Sequence, residues 1–574
     1  MKTVARYRYP HRLLRTAWLP LLGAAAWHAT ADAYEPTNAG SLLRQNPELT
    51  RGLGGEPSVD RVAPVQPPFP EASQNGEFSF SVNAFDFGGA LSAQEQQRAD
   101  EFLAPWRGRH VTLSQLRVVR DALTAVLYHD GDALIRVILP LQTVTDGVIH
   151  FQIARGHVES VVVRNTSDVA TDRLREILES ANESASSLRY IERNTHLVEE
   201  IPGVGLVTPT LSAGTETGGT TVTVDVEPGD RFYGAAVIDN AGSRQAGWRR
   251  LGVTGGVNNT LGLGDQFQAT AYLTPRFMQT KAGEDGHTRL GRVSYDLLTG
   301  VGASRAGIAY SRVDYKLGEA FAGLGTGSAN VISLYGTNPV IRSGTVSLDV
   351  GASLNFKRSS DEKFGEILRT DERSVLASVR VDGTMLGQLD ERPNAIQYSA
   401  IVSRGTAKQR ESDYSGSVAA LSGRRFDFYK AEPALAYVQA ITPTIRASVQ
   451  MRGQWASRSL DSSERLGLGG PSAVRAYDQN AASVDDGFVF SVAASKSFSS
   501  IPGTSLQIFY DDARGRTRGD GPIPGGSVRL QGYGIGASFS GKRVAAQLSY
   551  AMRAGHAPAH TARQQTWVTV STTF

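Results

Sequence analysis

Few residues of this 574-residue chain are spaced for catalysis. Cysteine is absent, which removes thiol nucleophiles, thiolate metal sites and disulfides together. Neither a His-Glu-x-x-His helix motif nor a Gly-x-Ser-x-Gly elbow occurs. His556 and His560 are four apart, but Pro558 between them breaks the helix that would aim both imidazoles at a zinc ion. They read as a polar loop. Asp511 and Asp512 adjoin, so on a strand they point to opposite faces and cannot serve as an acid–base pair. Gly532, Gly534 and Gly536 alternate along a strand-like stretch and leave room for a close neighbour. No Gly-x4-Gly-Lys phosphate loop is expected. The expectation is a protein that is not an enzyme, with no catalytic residue, metal or cofactor.

One charge arrangement remains. Gly469 to Tyr477 is a Gly-rich turn followed by an isolated Arg475 among small and apolar residues, and reads as a long loop. About thirty residues on, Phe509-Tyr510-Asp511-Asp512-Ala513 sets acids within strand-like sequence. An arginine folded into a confined interior needs a carboxylate partner, because an unpaired charge there is costly. Charge alone favours an exposed loop arginine and a turn aspartate that never meet.

The elements that would carry these residues are β-strands. From about Arg231 to Phe574 no helical period survives. Val346, Leu348, Val350, Ala352, Leu354 and Phe356 alternate with Ser347, Asp349, Gly351, Ser353, Asn355 and Lys357. Ile445, Ala447, Val449 and Met451 alternate likewise with Arg446, Ser448, Gln450 and Arg452. Strands of about ten to twelve residues with one apolar and one charged face match the tilted span of an outer-membrane strand. In lipid every backbone amide must be paired, so such a sheet closes into a barrel. A soluble sandwich would have to bury the charged face. The chain ends with Val568, Val570, Thr572 and Phe574 on one face, as a last barrel strand would. Residues 230–574 are enough for about 16 antiparallel strands, an even number being usual in bacterial barrels.

Residues 77–229 read as mixed α and β. Phe78, Phe80, Val82 and Ala84 alternate like a strand. Ser92 with Glu95, and Thr112 with Gln115, have capping-box spacing. Behind the second box Leu113, Leu116, Val119, Leu123 and Leu127 recur at helical intervals. Strands at Ala133–Leu139 and Gly147–Ala154 follow. A strand at His157–Val163, helices around Leu174 to Leu178 and Tyr190 to Glu199, and strands near Leu206 and Thr220–Val226 repeat the order. Two α+β domains are expected, 77–155 and 156–229.

Before them, Leu42, Leu43 and Arg44 fall in a short helix within 34–54, and residues 55–76 form a Pro-rich linker. Residues 1–33 carry five basic residues, an apolar run and Ala31-Asp32-Ala33, the form of a secretory signal peptide. That segment supplies about four positive charges of the net +3, so the remainder is near neutral and nucleic-acid binding is not expected.

Val474-Arg475-Ala476-Tyr477 resembles the Val-Arg-Gly-Tyr loop signature of the outer-membrane assembly and two-partner secretion superfamily. Phe509, Asp511 and Ala513 resemble its Phe-x-Asp-x-Gly strand motif. Ala39 to Gln45 resembles the N-terminal plug helix of the haemolysin/filamentous-haemagglutinin secretion branch. Leu139-Pro140-Leu141-Gln142 and Ile201-Pro202-Gly203-Val204 resemble its two POTRA domains. Asp239-Asn240 with Gly242, and Leu261-Gly262-Leu263-Gly264-Asp265, resemble the start of its barrel. Ala476 and Ala513 stand where the motifs have glycine, and a backbone requiring positive φ there would be strained.

The resemblance implies an outer-membrane transporter of a Gram-negative bacterium, its POTRA domains in the periplasm. It implies that Arg475 pairs with Asp511 inside the lumen and that the helix at Leu42 plugs the pore. It implies a secreted partner exoprotein, haemolysin- or adhesin-like with a β-helix, bound unfolded by the POTRA domains and exported by a monomer without nucleotide hydrolysis. Outer-membrane lipid is the other expected partner. The alternatives are an insertase for other barrels, disfavoured by only two POTRA-like repeats, and a passive porin, which has no use for 150 such residues.

Overall fold

The computed structural model describes residues 37–46, 79–87, 91–128, 134–140, 142–179, 188–216, 219–275, 286–300, 302–318, 322–363, 368–413, 422–479, 481–519, 525–555 and 562–574. The expected signal peptide, the Pro-rich linker, His556 and His560 lie outside the described residues.

A seven-residue helix α1 (Ala39–Gln45) comes first. The mixed part follows with β1 (Ser79–Val82), β2 (Ala84–Asp86), α2 (Ala93–Leu103), β3 (Arg109–Thr112) and α3 (Leu113–Tyr128). Both capping boxes form: the Glu95 carboxylate accepts Ser92 N–H at 2.6 Å, and the Gln115 amide oxygen accepts Thr112 N–H at 2.9 Å. Leu116, Val119, Leu123 and Leu127 are buried together with Ile149 and Phe151, as a stripe at 3.6-residue spacing requires. Leu113, on the same stripe by spacing, is exposed because it opens the helix.

The unit continues with β4 (Leu134–Ile138), β5 (Val148–His150) and β6 (Gln152–Asn165), then α4 (Thr171–Glu179), α5 (Leu188–Glu199), β7 (Val204–Ala213) and β8 (Gly219–Pro228). The sheet order is β4-β6-β8-β7. Here the structure departs from the expected pair of strands at Gly147–Ala154 and His157–Val163. Strand β6 is one 14-residue strand that pairs antiparallel with β4 up to Gly156 and parallel with β8 from His157. Its amides change partner without leaving the strand, so the boundary expected at 155/156 falls within a shared strand.

The closed barrel comprises β9 (Phe232–Asp239), β10 (Arg250–Asn258), β11 (Gln266–Leu273), β12 (His287–Leu298), β13 (Arg305–Lys316), β14 (Gly325–Arg342), β15 (Val346–Lys363), β16 (Leu368–Leu389), β17 (Arg392–Asp413), β18 (Ser422–Ala440) and β19 (Ile445–Ala456). After a long connection holding the two-residue strands β20 (Leu466–Gly467) and β21 (Ser483–Val484), it continues with β22 (Asp486–Ser497), β23 (Thr504–Thr517), β24 (Gly526–Ser540), β25 (Val544–Ala554) and β26 (Gln564–Thr573). The 16 strands are antiparallel to their neighbours, and β26 meets β9 from Thr569–Asp239 to Thr573–Ala235. Phe574 and Gly234 extend that seam by exchanging N–H···O bonds at 2.8 and 2.9 Å. Strands β16 and β17 reach 22 residues, well beyond the length expected from sequence. An apolar band takes only about ten residues of a tilted strand, so the polar remainder extends past the membrane.

The α/β part is packed on one rim. Leu298 and Ala303, flanking the β12–β13 turn, share a buried cluster with Leu174 and Ile201. Ala170 N–H donates to Gly262 O at 2.9 Å, and Arg342 Nε donates to Glu200 at 2.8 Å while its Nη2 reaches Asp349 at 2.8 Å. The connection between β19 and β22 starts from the opposite rim.

Candidate functional site

That connection, residues 457–485, folds back into the barrel. Its stem is β20 against β21, with Leu466 opposite Val484. Its tip turns at Gly470, where φ is 109°, a conformation suited to glycine. Val474 N–H then donates to Leu468 O at 3.0 Å, and Tyr477 N–H to Val474 O at 3.2 Å. Val474, Ala476 and Tyr477 are fully buried with Phe509 and Ala513 of β23 and Leu530 of β24. The structure thus brings together the loop and strand residues singled out above.

At the centre, Arg475 donates Nη2–H to Asp511 Oδ1 at 2.7 Å and Nε–H to Asp511 Oδ2 at 2.9 Å. Its backbone N–H reaches the same Oδ2 at 3.1 Å. Ser491 on β22 donates to Asp511 Oδ1 at 2.8 Å and accepts from Arg475 Nη2 at 3.0 Å. The guanidinium lies 3.3 Å from the Phe509 ring centre. Asp511 is fully buried. A carboxylate removed from water is tolerated here because a fork-shaped cation and a hydroxyl satisfy it. On the other side, Trp567 Nε1–H of β26 donates to Arg475 O at 2.7 Å. Asp478 accepts from Arg244 Nε at 2.9 Å and from Gln565 Nε2 at 3.0 Å. The loop therefore touches both flanks of the closing seam.

Neither Ala476 nor Ala513 adopts positive φ, so alanine is unstrained at both positions. The small residue at 476 is explained by the wall it packs on: a Cβ on Gly532 of β24, directly opposite Asp511, would lie 2.5 Å from Ala476 Cβ. Gly536 and Gly541-Lys542 do carry phosphate-loop spacing, but Arg543 follows and the segment turns from β24 into β25. Among the described residues it meets no helix N-terminus, where a phosphate would sit.

Anchors that sequence reading missed hold the rest of the loop. Buried Asp485 accepts from Leu460 N at 2.8 Å, Arg518 N at 2.7 Å and Arg465 Nε at 3.2 Å. Glu464 pairs with Lys357 of β15 and, at 2.9 Å, with Lys430 of β18. Lys357 is visible in the alternation as an inward charge; its partner a hundred residues away is not.

Helix α1 lies inside the barrel against the same loop. Asn38 caps it, accepting Ser41 N–H at 2.7 Å, and Ser462 Oγ donates to that cap oxygen at 2.9 Å. Ala39 N–H donates to Asp361 Oδ1 of β15 at 2.9 Å, which also accepts Tyr315 Oη–H at 2.7 Å. Arg44 Nη1 donates to Ser462 O at 2.8 Å. At the helix end, Arg250 Nη1 reaches Asn46 Oδ1 at 2.6 Å. Leu42 and Leu43 are buried against Leu290, Val313, Ala329 and Val331. These are inward positions of β12, β13 and β14, where a water-filled bore would be polar. Apolar residues at inward positions are the signal by which the docking wall could be read. Beyond the helix a cavity of about 380 Å³ remains, lined by Arg44, Arg380, Arg452 and Glu432 among others.

The residues matched to the start of the barrel hold the two ends of β10, Asp265 in the β10–β11 turn on the POTRA side and Asp239 at the far end of β9. Buried Asp265 accepts N–H from Thr260 and Leu261, both at 3.0 Å. Asp239 takes a forked bond from Arg250, 2.8 Å at Nε and 3.0 Å at Nη2.

Comparison with known proteins adds relatives of this architecture. Residues 218–539 match the family described as haemolysin secretion/activation protein ShlB/FhaC/HecB, and residues 80–156 match a POTRA domain of ShlB type. The heme/hemopexin transporter protein HuxB of Haemophilus influenzae strain 86-028NP is 23% identical over 446 residues, spanning 75% of this chain and 76% of its own. The outer membrane transporter CdiB of Dickeya dadantii is 23% identical over 396 residues, 67% of either chain. Among solved structures, CdiB from Escherichia coli aligns with a TM-score of 0.63 at 20% identity, covering 90% of this chain and 94% of that one. BamA from Haemophilus ducreyi lacking POTRA domains 1–3 aligns at 0.53 and 11% identity, covering 86% and 100%.

Proposed function

Because this chain belongs to the haemolysin secretion/activation protein family ShlB/FhaC/HecB, and so is a two-partner secretion protein of the outer membrane with its POTRA part in the periplasm, we propose that it exports one unfolded exoprotein through its barrel. Residues 77–155 and 156–229 act as the POTRA domains that capture the substrate. An incoming segment adds to a sheet edge there, where main-chain pairing needs little sequence identity. Residues 34–54 act as the plug, and 55–76 as the tether that lets it leave. The substrate is an adhesin- or haemolysin-like β-helix protein, a single barrel serves it, and folding outside the cell drives export in place of nucleotide hydrolysis.

The observation that carries this reading is the double fastening in the lumen. Arg475 and Asp511 fix the loop to the wall, and Asn38, Arg44 and Ser462 fix the helix to the loop. The helix is seven residues long and is held in the lumen by side-chain hydrogen bonds and the packing of Leu42 and Leu43. The test is deletion of the encoding gene, comparing secreted proteins with the outer-membrane proteome. Loss of one secreted protein with intact barrels is expected. Broad loss of barrels would mark an insertase, and no change in either would sink the transport reading.

A further inference from the structure

The outward wall of the barrel carries a charge pattern that the transport path does not use. The β12–β13 turn abuts the POTRA part, so β15 and β17 run away from the periplasm and end at the external rim. Along this wall the outward positions are apolar up to Phe356 on β15 and Val375 on β16. These direct cross-strand neighbours are 41% and 42% exposed. One rung farther out, Arg358 stands opposite Arg373, Arg373 opposite Lys408, and Lys408 opposite Arg425. All four are exposed, and among the described residues none has a hydrogen-bond or ion-pair partner.

Side chains directly opposite on antiparallel strands have Cβ atoms about 5 Å apart, and like charges there destabilise the sheet. Three such oppositions follow one another across β15 to β18. The nearest outward carboxylates are engaged elsewhere: Asp371, one rung outward, pairs with Arg369 at 3.2 Å, and Asp427, one rung toward the membrane, accepts Thr406 Oγ1–H at 2.7 Å. Two rungs toward the membrane, Arg404 lies 5.5 Å over the Tyr429 ring, a pairing suited to the lipid–water boundary. Because the strands tilt, a hydrogen-bonded rung climbs by roughly 3 Å per strand, so the row spans the depth of a headgroup layer.

We propose that Arg358, Arg373, Lys408 and Arg425 bind the phosphate groups of an anionic glycolipid in the outer leaflet. Arginine forks a phosphate in bidentate fashion and lysine adds a point charge, so bridging phosphates turn four mutually repelling cations into one site. On β15 and β16 the row lies directly above the lipid-facing Phe356 and Val375, so a ligand held by its acyl chains is already beside it. The secreted chain leaves through the bore and faces the other side of this wall.

The experiment titrates the full-length protein in detergent with bisphosphorylated lipid A and with the same lipid stripped of phosphate. Saturable binding of the phosphorylated form is expected, weakened by about tenfold or more in R358Q/R373Q/K408Q/R425Q. K542Q/R543Q, exposed in the β24–β25 turn at the opposite rim, is expected to bind like the parent. Retarded migration of unboiled protein on gels reports a closed barrel. If the quadruple variant does not close, R358Q/R373Q and K408Q/R425Q are read in its place. Equal binding of the two lipids, undiminished binding by the row variants, or equal loss in the opposite-rim variant would overturn the site. Competition by millimolar inorganic phosphate without preference for the lipid overturns the glycolipid assignment. Reduced export with normal lipid binding overturns it too, assigning the row to the secreted chain.

Discussion

Asp511 holds Arg475 by main chain and side chain at once: the carboxylate accepts the Arg475 backbone N–H at 3.1 Å, Nε–H at 2.9 Å and Nη2–H at 2.7 Å. A loop residue gripped at both levels has its backbone position tied to its charge. Removing either partner therefore moves the chain as well as leaving a charge exposed to an apolar wall.

Arg475→Ala leaves the buried Asp511 carboxylate with only the Ser491 hydroxyl and the residue-475 backbone N–H as donors and no cation beside it, and breaking such a pair costs on the order of 3–5 kcal/mol locally. The barrel hydrogen bonds are untouched, so the protein should still migrate as a closed barrel while secretion falls severalfold or more. Asp511→Asn should resemble it. Arg475→Lys should rescue little, because an ammonium cannot make the fork. Normal export by the alanine and asparagine variants would refute a functional role for the pairing.

Gly40 lets α1 approach the loop: a Cβ there would lie 2.2 Å from Ser462 Oγ and 2.9 Å from Ser463 N. Gly40→Val should displace the helix and raise single-channel conductance in planar bilayers. Deletion of 34–54 should raise it further. A conductance equal to the parent in the deletion would show that the helix does not obstruct the pore.

On the strand beside Asp511, Gly532→Ala should disturb the loop, since its new methyl would stand 2.5 Å from Ala476 Cβ. Overpacking of this kind costs about 1–3 kcal/mol. Ala476→Gly should export normally, because residue 476 does not use positive φ. Secretion assays on the two variants give the comparison; equal behaviour would count against the packing argument.

In the second POTRA unit, burial pushes the Tyr190 phenol up to about 12, and Tyr190 Oη–H donates to Leu178 O at 2.5 Å. The folded state favours the protonated phenol, so its contribution is whole below pH 10, the ordinary value, and is lost as pH rises through about 12. Tyr190→Phe should cost about 1 kcal/mol at neutral pH, from the lost hydrogen bond, and flatten the stability curve between pH 10 and 12. Denaturant melts of this part across that range would show it; an unchanged slope would exclude Tyr190 as the titrating group.

Much of this architecture is readable along the chain. Period-two alternation such as Val346 to Lys357 states which side chains face lipid, and the demand that every amide in lipid be paired then forces closure. Ser92 with Glu95 and Thr112 with Gln115 mark helix starts because a capping box is a contact between residues three apart. Arg475 and Asp511 stand out as charges in apolar or small-residue surroundings, but the family resemblance, not charge, joined them. The shared strand β6 was not legible: residues 152–165 read as strand in either arrangement, and only the position of β8 decides that the pairing carries on.

What the amino-acid order determined alone is therefore local: periodicity, caps, turns, and which residues lie inward. Asp361 receiving the first N–H of α1, Glu464 between Lys357 and Lys430, and Gly40 against Ser462 were decided by the tertiary structure. Alternation is a property of one strand's backbone, whereas inward neighbours depend on strand order, stagger and closure, which bring residues hundreds of positions apart within hydrogen-bonding distance.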